Sequence, residues 1–199
     1  MKTNTQLRQV AKEQLTGNYT AFVIVTLVYL FIVGACSSVK YAGSLRSVLL
    51  AVPAAFAFVM MQLAFVRNGE KPTVEGLFRT FNSQWYLKTI CLQLLMGIYT
   101  FLWTLLLVVP GIIKSISYAM APYILADNPE IGCEEAICRS MKMMDGHKMD
   151  YFLMLLGYVG LTLLSVVLFC IPMLWLIPYY QVVFTNFYLE LKNEAEAAA

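Results

Sequence analysis

The chain has 199 residues, 60% of them hydrophobic and only 13% charged, with a formal net charge of +2. A soluble domain is about a quarter charged, so these charges are too few to coat a water-facing surface. The balance implies no nucleic-acid surface, since no basic patch with interleaved aromatics occurs, and the five cysteines show neither CxxC nor zinc-finger spacing.

Residues 2–16 are predicted to form an amphipathic helix. Leu7, Val10, Ala11 and Leu15 recur at helical spacing, with Arg8, Lys12 and Glu13 between them. Gly17-Asn18 ends it, because both residues tolerate the left-handed conformation of a helix terminus. A first apolar span covers about Tyr19 to Cys36. Lys2, Arg8 and Lys12 precede it, and Val33-Gly34-Ala35-Cys36 is a loose match to a lipoprotein cleavage box. The run is too long for a signal core and further apolar blocks follow, so it reads as an uncleaved first span. A short loop, Ser37 to Ser47, carries Lys40 and Arg46. Span two is about Val48 to Val66, with Pro53 near its outer end.

Asn68-Gly69-Glu70-Lys71-Pro72 is a polar break. A second amphipathic helix is expected after it, with Val74, Leu77, Phe78 and Phe81 on one face and Glu75 facing Arg79 at i,i+4. Span three is about Tyr86 to Val109. Pro110-Gly111 reads as a helix-breaking hairpin turn, since proline lacks an amide proton and glycine favours turns. Span four, about Ile112 to Ala126, is the shortest, and Pro122 inside it removes an amide donor. The carbonyl so freed needs a partner, from Ser115, Ser117 or a neighbouring span, which places span four among other helices. Asn128-Pro129-Glu130 is expected to start a third amphipathic helix, Pro129 to Asp145, with Asn128 as cap and Pro129 in the first helical position. Cys133, Ile137, Met141 and Met144 share one face of it, and Gly146 ends it. Span five is about Tyr151 to Ile171, Pro172 makes a tight turn, and span six is about Met173 to Leu191. Residues 193–199 read as a frayed tail.

Charge placement orients the spans. Eleven of the fourteen Lys and Arg fall on one side, together with all twelve Asp and Glu. That bias puts both termini in the cytoplasm of a multi-pass protein. Leu15-Thr16-Gly17-Asn18-Tyr19, Phe81-Asn82-Ser83-Gln84-Trp85 and Met144-Asp145-Gly146-His147-Lys148 occupy equivalent places. The expected architecture is therefore all-α: one membrane domain of six transmembrane helices, built as three parallel copies of a surface helix plus a helical hairpin. The units are about 1–67, 68–127 and 128–192.

The runs Val109-Pro110-Gly111-Ile112-Ile113-Lys114, Tyr118 to Pro129, Glu135-Ala136-Ile137, Arg139-Ser140, Met143-Met144 and Gly146-His147 resemble the signature of an uncharacterised family. Its members are bacterial integral membrane proteins with a domain of unknown function. The likeness extends to Leu174-Trp175-Leu176-Ile177-Pro178-Tyr179, to Phe187-Tyr188 and to Leu15-Thr16-Gly17-Asn18-Tyr19. A more distant likeness is to the membrane domain attached to some glycerophosphodiester phosphodiesterases, whose catalytic domain has no counterpart here. The resemblance implies a bacterial inner-membrane protein and transfers no catalytic residue.

Lys114 is an ionisable residue in an apolar stretch and a candidate contact for an anion or lipid, although it lies near a turn and can snorkel to the interface. Asp127, Glu130, Glu134 and Glu135 form an acidic cluster. Glu130 and Glu134 share a helix face that could hold a hard cation; the plainer reading has Asp127 and Glu130 complementing a helix dipole and Glu135 pairing with Arg139. His147 is the only histidine, so no histidine-pair metal site or Cys-His nucleophile is expected, and it sits where Asn18 and Gln84 sit in the other units. Gln62, Gln93, Gln181 and Asn186 either bond neighbouring helices or line a polar path. No GxSxG elbow or glycine-rich phosphate loop occurs. No catalytic residue, cofactor or metal is expected. The partners are the lipid bilayer and other membrane proteins, with no nucleic acid. The favoured reading is a non-enzymatic membrane scaffold or accessory subunit of a transport or envelope system; the alternative is a small transporter or lipid-handling protein with a polar cavity near Lys114.

Overall fold

The computed structural model describes residues 3–37, 45–81, 83–167 and 172–197. The described elements are helical: α1 (Asn4–Leu15), α2 (Tyr19–Ser37), α3 (Leu45–Asn68), a 3-10 helix (Glu75–Phe81), α4 (Ser83–Leu106), α5 (Val108–Tyr118), α6 (Ala121–Asp127), α7 (Cys133–Met143), α8 (Lys148–Val167) and α9 (Met173–Ala197). Among the described residues, four stretches are long and apolar enough to cross a bilayer: Ala51–Asn68, Trp85–Leu106, Val108–Asp127 and Lys148–Val166. A fifth is added if α1 and the Tyr19–Phe31 part of α2, bent by 95° at their junction, count as one broken span. The all-helical fold is compatible with a membrane protein and matches the six expected spans in part. α9 is less apolar than these four, since Gln181, Thr185, Asn186 and Glu190 dilute its apolar residues. It packs against α1, α2, α3 and α8, with Tyr180, Val182, Val183, Phe187 and Tyr188 buried.

The buried face of α1 is Leu7, Ala11 and Leu15, an i, i+4, i+8 stripe that joins the main core beside Phe187 and Leu191. Gly17 and Gly146 both have positive φ, +92° and +85°, where a Cβ would be strained. The turns around them match: Asn18 N donates to Leu15 O, and His147 N to Met144 O, before α2 and α8 begin. The third place of the expected repeat includes Asn82, which lies outside the described residues, as do Lys40 and the turn residues 168–171.

Several local expectations are corrected. Pro110-Gly111 does not break the chain. The break is Leu107, a single extended residue between α4 and α5, and Pro110 and Gly111 lie in the first turn of α5. The first four amides of a helix have no intrahelical acceptor, so proline fits there without loss. The segment after Pro72 is a 3-10 helix, whose three residues per turn align i with i+3. Leu77 and Thr80 are therefore its buried pair, while Phe78 is 54% exposed. Asn128-Pro129-Glu130 does not start α7, which begins at Cys133 after Gly132; Asn128 caps the end of α6, its amide and side chain both donating to Ile124 O. The helix expected to end near Leu191 continues to Ala197, so residues 193–197 are helical.

Pro122 divides the fourth expected span. α5 ends at Tyr118 and α6 starts at Ala121, with the proline in its first turn. Half of the Val108–Asp127 stretch is buried, against 11% for Trp85–Leu106 and for Lys148–Val166. Ser115 and Ser117 bond carbonyls of their own helix, Ile112 O and Ile113 O. The donor to the broken region comes from α7, where the buried Ser140 hydroxyl donates to Ser117 O at 2.7 Å.

Candidate functional site

The most concentrated polar chemistry is at Asp127, the last residue of α6. Its side chain is 4% exposed. Arg67, near the end of α3, grips both carboxylate oxygens, Nη1 to Oδ1 and Nη2 to Oδ2, each at 2.6 Å. Two residues of α9, one turn apart, complete the cage: the Tyr188 hydroxyl donates to Oδ2 at 2.7 Å and Lys192 Nζ at 2.9 Å. The Tyr188 ring stacks on Tyr123 of α6 at 5.3 Å. Four donors thus converge on one carboxylate, and the bidentate arginine fork is the strongest geometry available to such a pair. Asp127 therefore ties the ends of three helices rather than complementing a helix dipole.

A cleft of about 340 Å³ adjoins this cage. Met60, Met61 and Ala64 of α3 form its apolar wall, and Arg67, Asn68, Glu70 and Lys71 its polar rim. A second line of polar contacts runs along α9. Gln62 Nε2 donates to Gln181 Oε1 at 2.7 Å, the Thr185 hydroxyl donates to Gln181 O at 2.9 Å, and Asn186 Nδ2 donates to Gln14 Oε1 at 2.8 Å and Val182 O at 3.0 Å. These pairs link α9 to α3 and α1. Gln93 does not join them and is exposed.

The other residues singled out by sequence are spread over separate joints. Lys114 Nζ lies 5.0 Å from the centre of the Trp103 ring, a cation–π seat within the α4–α5 hairpin. The groove beside it is lined by Gln93, Met96, Thr100, Thr104 and Ser115, not by Lys114. Arg139 pairs with Glu135 at 2.6 Å on the exposed face of α7. His147 Nε2 is 3.5 Å from Glu194 near the end of α9. The Pro129 carbonyl accepts from Lys88 Nζ of α4. Glu130 and Glu134 are exposed, and no group able to hold a metal ion occurs among the described residues. Burial first, and the neighbouring Cys91 thiol second, push the Cys133 thiol up to about 11, so it is protonated at neutral pH and lacks the nucleophilic thiolate.

Arg67 and Lys192 do not stand out in the sequence, although each sits where an apolar helix gives way to polar residues. Arg67, Asp127 and Lys192 put one charge near the end of each of α3, α6 and α9, and that placement is the signal that could have paired them. The joints at Asp127, Asn128, Pro129, Arg139, Ser140, Gly146 and His147 lie within the same stretch that carries the family likeness. The profile of a family described as protein of unknown function (DUF975) matches residues 1–117 and 104–195. The chain belongs to this family. No curated protein and no solved structure matches it.

Proposed function

We propose that the chain is a multi-pass protein of a bacterial cytoplasmic membrane, with both termini cytoplasmic. It works without catalysis as a scaffold or as an accessory subunit of a transport or envelope system. The observation that carries this reading is where the polar groups go. Asp127 is enclosed by four donors from two other helices, and Gln62, Gln181, Thr185, Asn186 and Gln14 bond one another. In hydrocarbon such groups hold helices together because lipid offers no partner. Polar side chains used in this way serve rigidity rather than a path for solute. Lys114, seated on Trp103, belongs to the same pattern. The matching turns at Gly17 and Gly146 support the reading of repeated units, each a surface helix followed by a hairpin.

Purification of the tagged chain from native membranes, with mass spectrometry of what accompanies it, tests this function. A membrane protein recovered in fixed proportion, and lost under conditions that leave the helices intact, is the expected result. Solute-specific flux through the purified chain in proteoliposomes would overturn the scaffold reading. Topology is tested separately on a cysteine-free background. Asn68→Cys and Glu196→Cys should react with an impermeant thiol reagent only from the cytoplasmic side, and Met173→Cys only from the other. Reaction of Asn68→Cys and Met173→Cys from the same side removes the proposed orientation.

A further inference from the structure

Arg8 lies on α1 next to Leu7 and Ala11, which are 1% and 0% exposed. Its side chain turns inward, with the guanidinium carbon 5.9 Å from the centre of the buried Tyr180 ring. A Cβ built on Gly157 would stand 2.5 Å from Arg8 Nη2 and 3.4 Å from the Tyr180 hydroxyl. The guanidinium and the hydroxyl therefore converge over a glycine, about 13 Å of helix rise from Lys148 at the start of α8. On either side, α1 is pinned in place: Asn4 Nδ2 donates to Asp150 O, and the Tyr179 hydroxyl donates to Arg8 O, both at 3.2 Å.

This arginine differs from the cations that meet a carboxylate. Arg67 and Lys192 meet Asp127, Arg139 meets Glu135, and Lys148 meets Asp145. Arg8 forms no ion pair among the described residues, and its Nε is buried without a hydrogen-bond acceptor. The ring of Tyr180 attracts the charge, but its π-face is no substitute for the oxygen acceptors that five N–H donors prefer. Arg8 as a whole is half-buried, so water reaches part of the guanidinium, but the buried Nε–H lacks an acceptor and arginine always carries its charge.

We propose that Arg8 is the receptor for a phosphate oxyanion, held where α1, α8 and α9 meet. Its planar fork matches two oxygens of a phosphodiester or phosphate, and the Tyr180 hydroxyl supplies a further donor from the side. Gly157 leaves the space in which fork and hydroxyl meet. The oxyanion is either the phosphodiester of an anionic phospholipid, reaching the site from the bilayer, or free phosphate. The site goes beyond the scaffold reading and rests only on its placement of the chain in a membrane.

The test uses the full chain in nanodiscs of three kinds: phosphatidylcholine alone, phosphatidylcholine with phosphatidylglycerol, and phosphatidylcholine with added inorganic phosphate. Native mass spectrometry reads retained lipid and a thermal melt reads stability. For a lipid source, the wild type retains phosphatidylglycerol over phosphatidylcholine by about tenfold or more, because both carry the phosphodiester but the choline cation of the second is repelled by Arg8. Arg8→Gln loses that preference and Arg8→Lys keeps part of it. For free phosphate, added phosphate raises the melting temperature of the wild type but not of Arg8→Gln. Should Arg8→Gln fail to fold, Gly157→Ala keeps the charge, displaces the fork and is expected to lose the same selectivity. Identical retention and identical phosphate response in wild type, Arg8→Gln and Gly157→Ala overturn the proposal. An alkaline carbonate wash that strips the chain from membranes would instead remove the membrane reading, leaving the phosphate arm to decide on Arg8.

Discussion

Replacing Asp127 by alanine is expected to lower stability by about 2–4 kcal/mol, a little below the cost of breaking a fully buried ion pair because its cations keep some hydration. The alanine removes the one acceptor that Arg67, Tyr188 and Lys192 share. Tyr188 loses its partner inside the core, where it is 1% exposed. Arg67 and Lys192 have side chains 35% and 32% exposed, so water takes up part of their charge. Unfolding in mixed detergent micelles measures the change. The control is a cycle: Arg67→Met alone, Asp127→Leu alone, and both together. If the cage acts as a unit, the double variant is more stable than the sum of the single losses implies, since no charge is left unpaired between α3 and α6. A loss below about 0.5 kcal/mol for Asp127→Ala, the range of ordinary surface changes, would show that the cage does not hold the helix ends.

Sequence reasoning reaches the features that depend on neighbours along the chain. The stripe Leu7, Ala11, Leu15 follows from helical periodicity and is the buried face of α1. Gly17 and Gly146 stand out because few other residues accept the conformations they adopt. Glu135 and Arg139 pair at i,i+4 as their spacing suggests. The face after Pro72 is misplaced by a period of 3.6, because the backbone there has a period of three. The wrong period moves Phe78 onto the buried side and leaves out Thr80. The Thr80 hydroxyl in fact donates to Pro53 O of α3, which gives the segment a reason to sit against that helix.

The Asp127 cage is not legible for a different reason. Arg67 and Lys192 lie 60 and 65 residues away in sequence. Spacing rules pair side chains within one helix and are silent on which helix ends meet. The same holds for Arg8, whose neighbours Gly157 and Tyr180 come from two later helices. Along the chain, Arg8 is one more basic residue on an amphipathic helix. Only the packing of α1 across α8 and α9 turns it inward.

Gly111→Ala is expected to cost about 1–3 kcal/mol, the range for forcing an extra methyl into a filled site, whereas Pro110→Ala should change stability by less than about 1 kcal/mol. The sequence treats the two residues as one turn; the structure separates them. Pro110 sits in the first turn of α5, and its missing amide is one that the helix does not use. Gly111 faces α4 across the hairpin closed at Leu107. A Cβ there would stand 2.3 Å from Thr104 Oγ1 and 2.9 Å from Thr104 Cα. The hydroxyl could rotate away, giving up its bond to Thr100 O, but the backbone carbon could not. The methyl therefore has to push α4 and α5 apart. That strain passes to Lys114 on Trp103 and to the Tyr99–Tyr118 ring pair, both formed across the same hairpin. Unfolding in detergent reads the stability, and the near-ultraviolet circular dichroism of Trp103, Tyr99 and Tyr118 reads the hairpin itself. Thr104→Ala should rescue Gly111→Ala only in part, because it removes the hydroxyl and leaves the α4 backbone in the way. Full rescue would place the clash in the side chain alone, and equal stability of wild type, Pro110→Ala and Gly111→Ala would mean that α4 and α5 do not approach this closely.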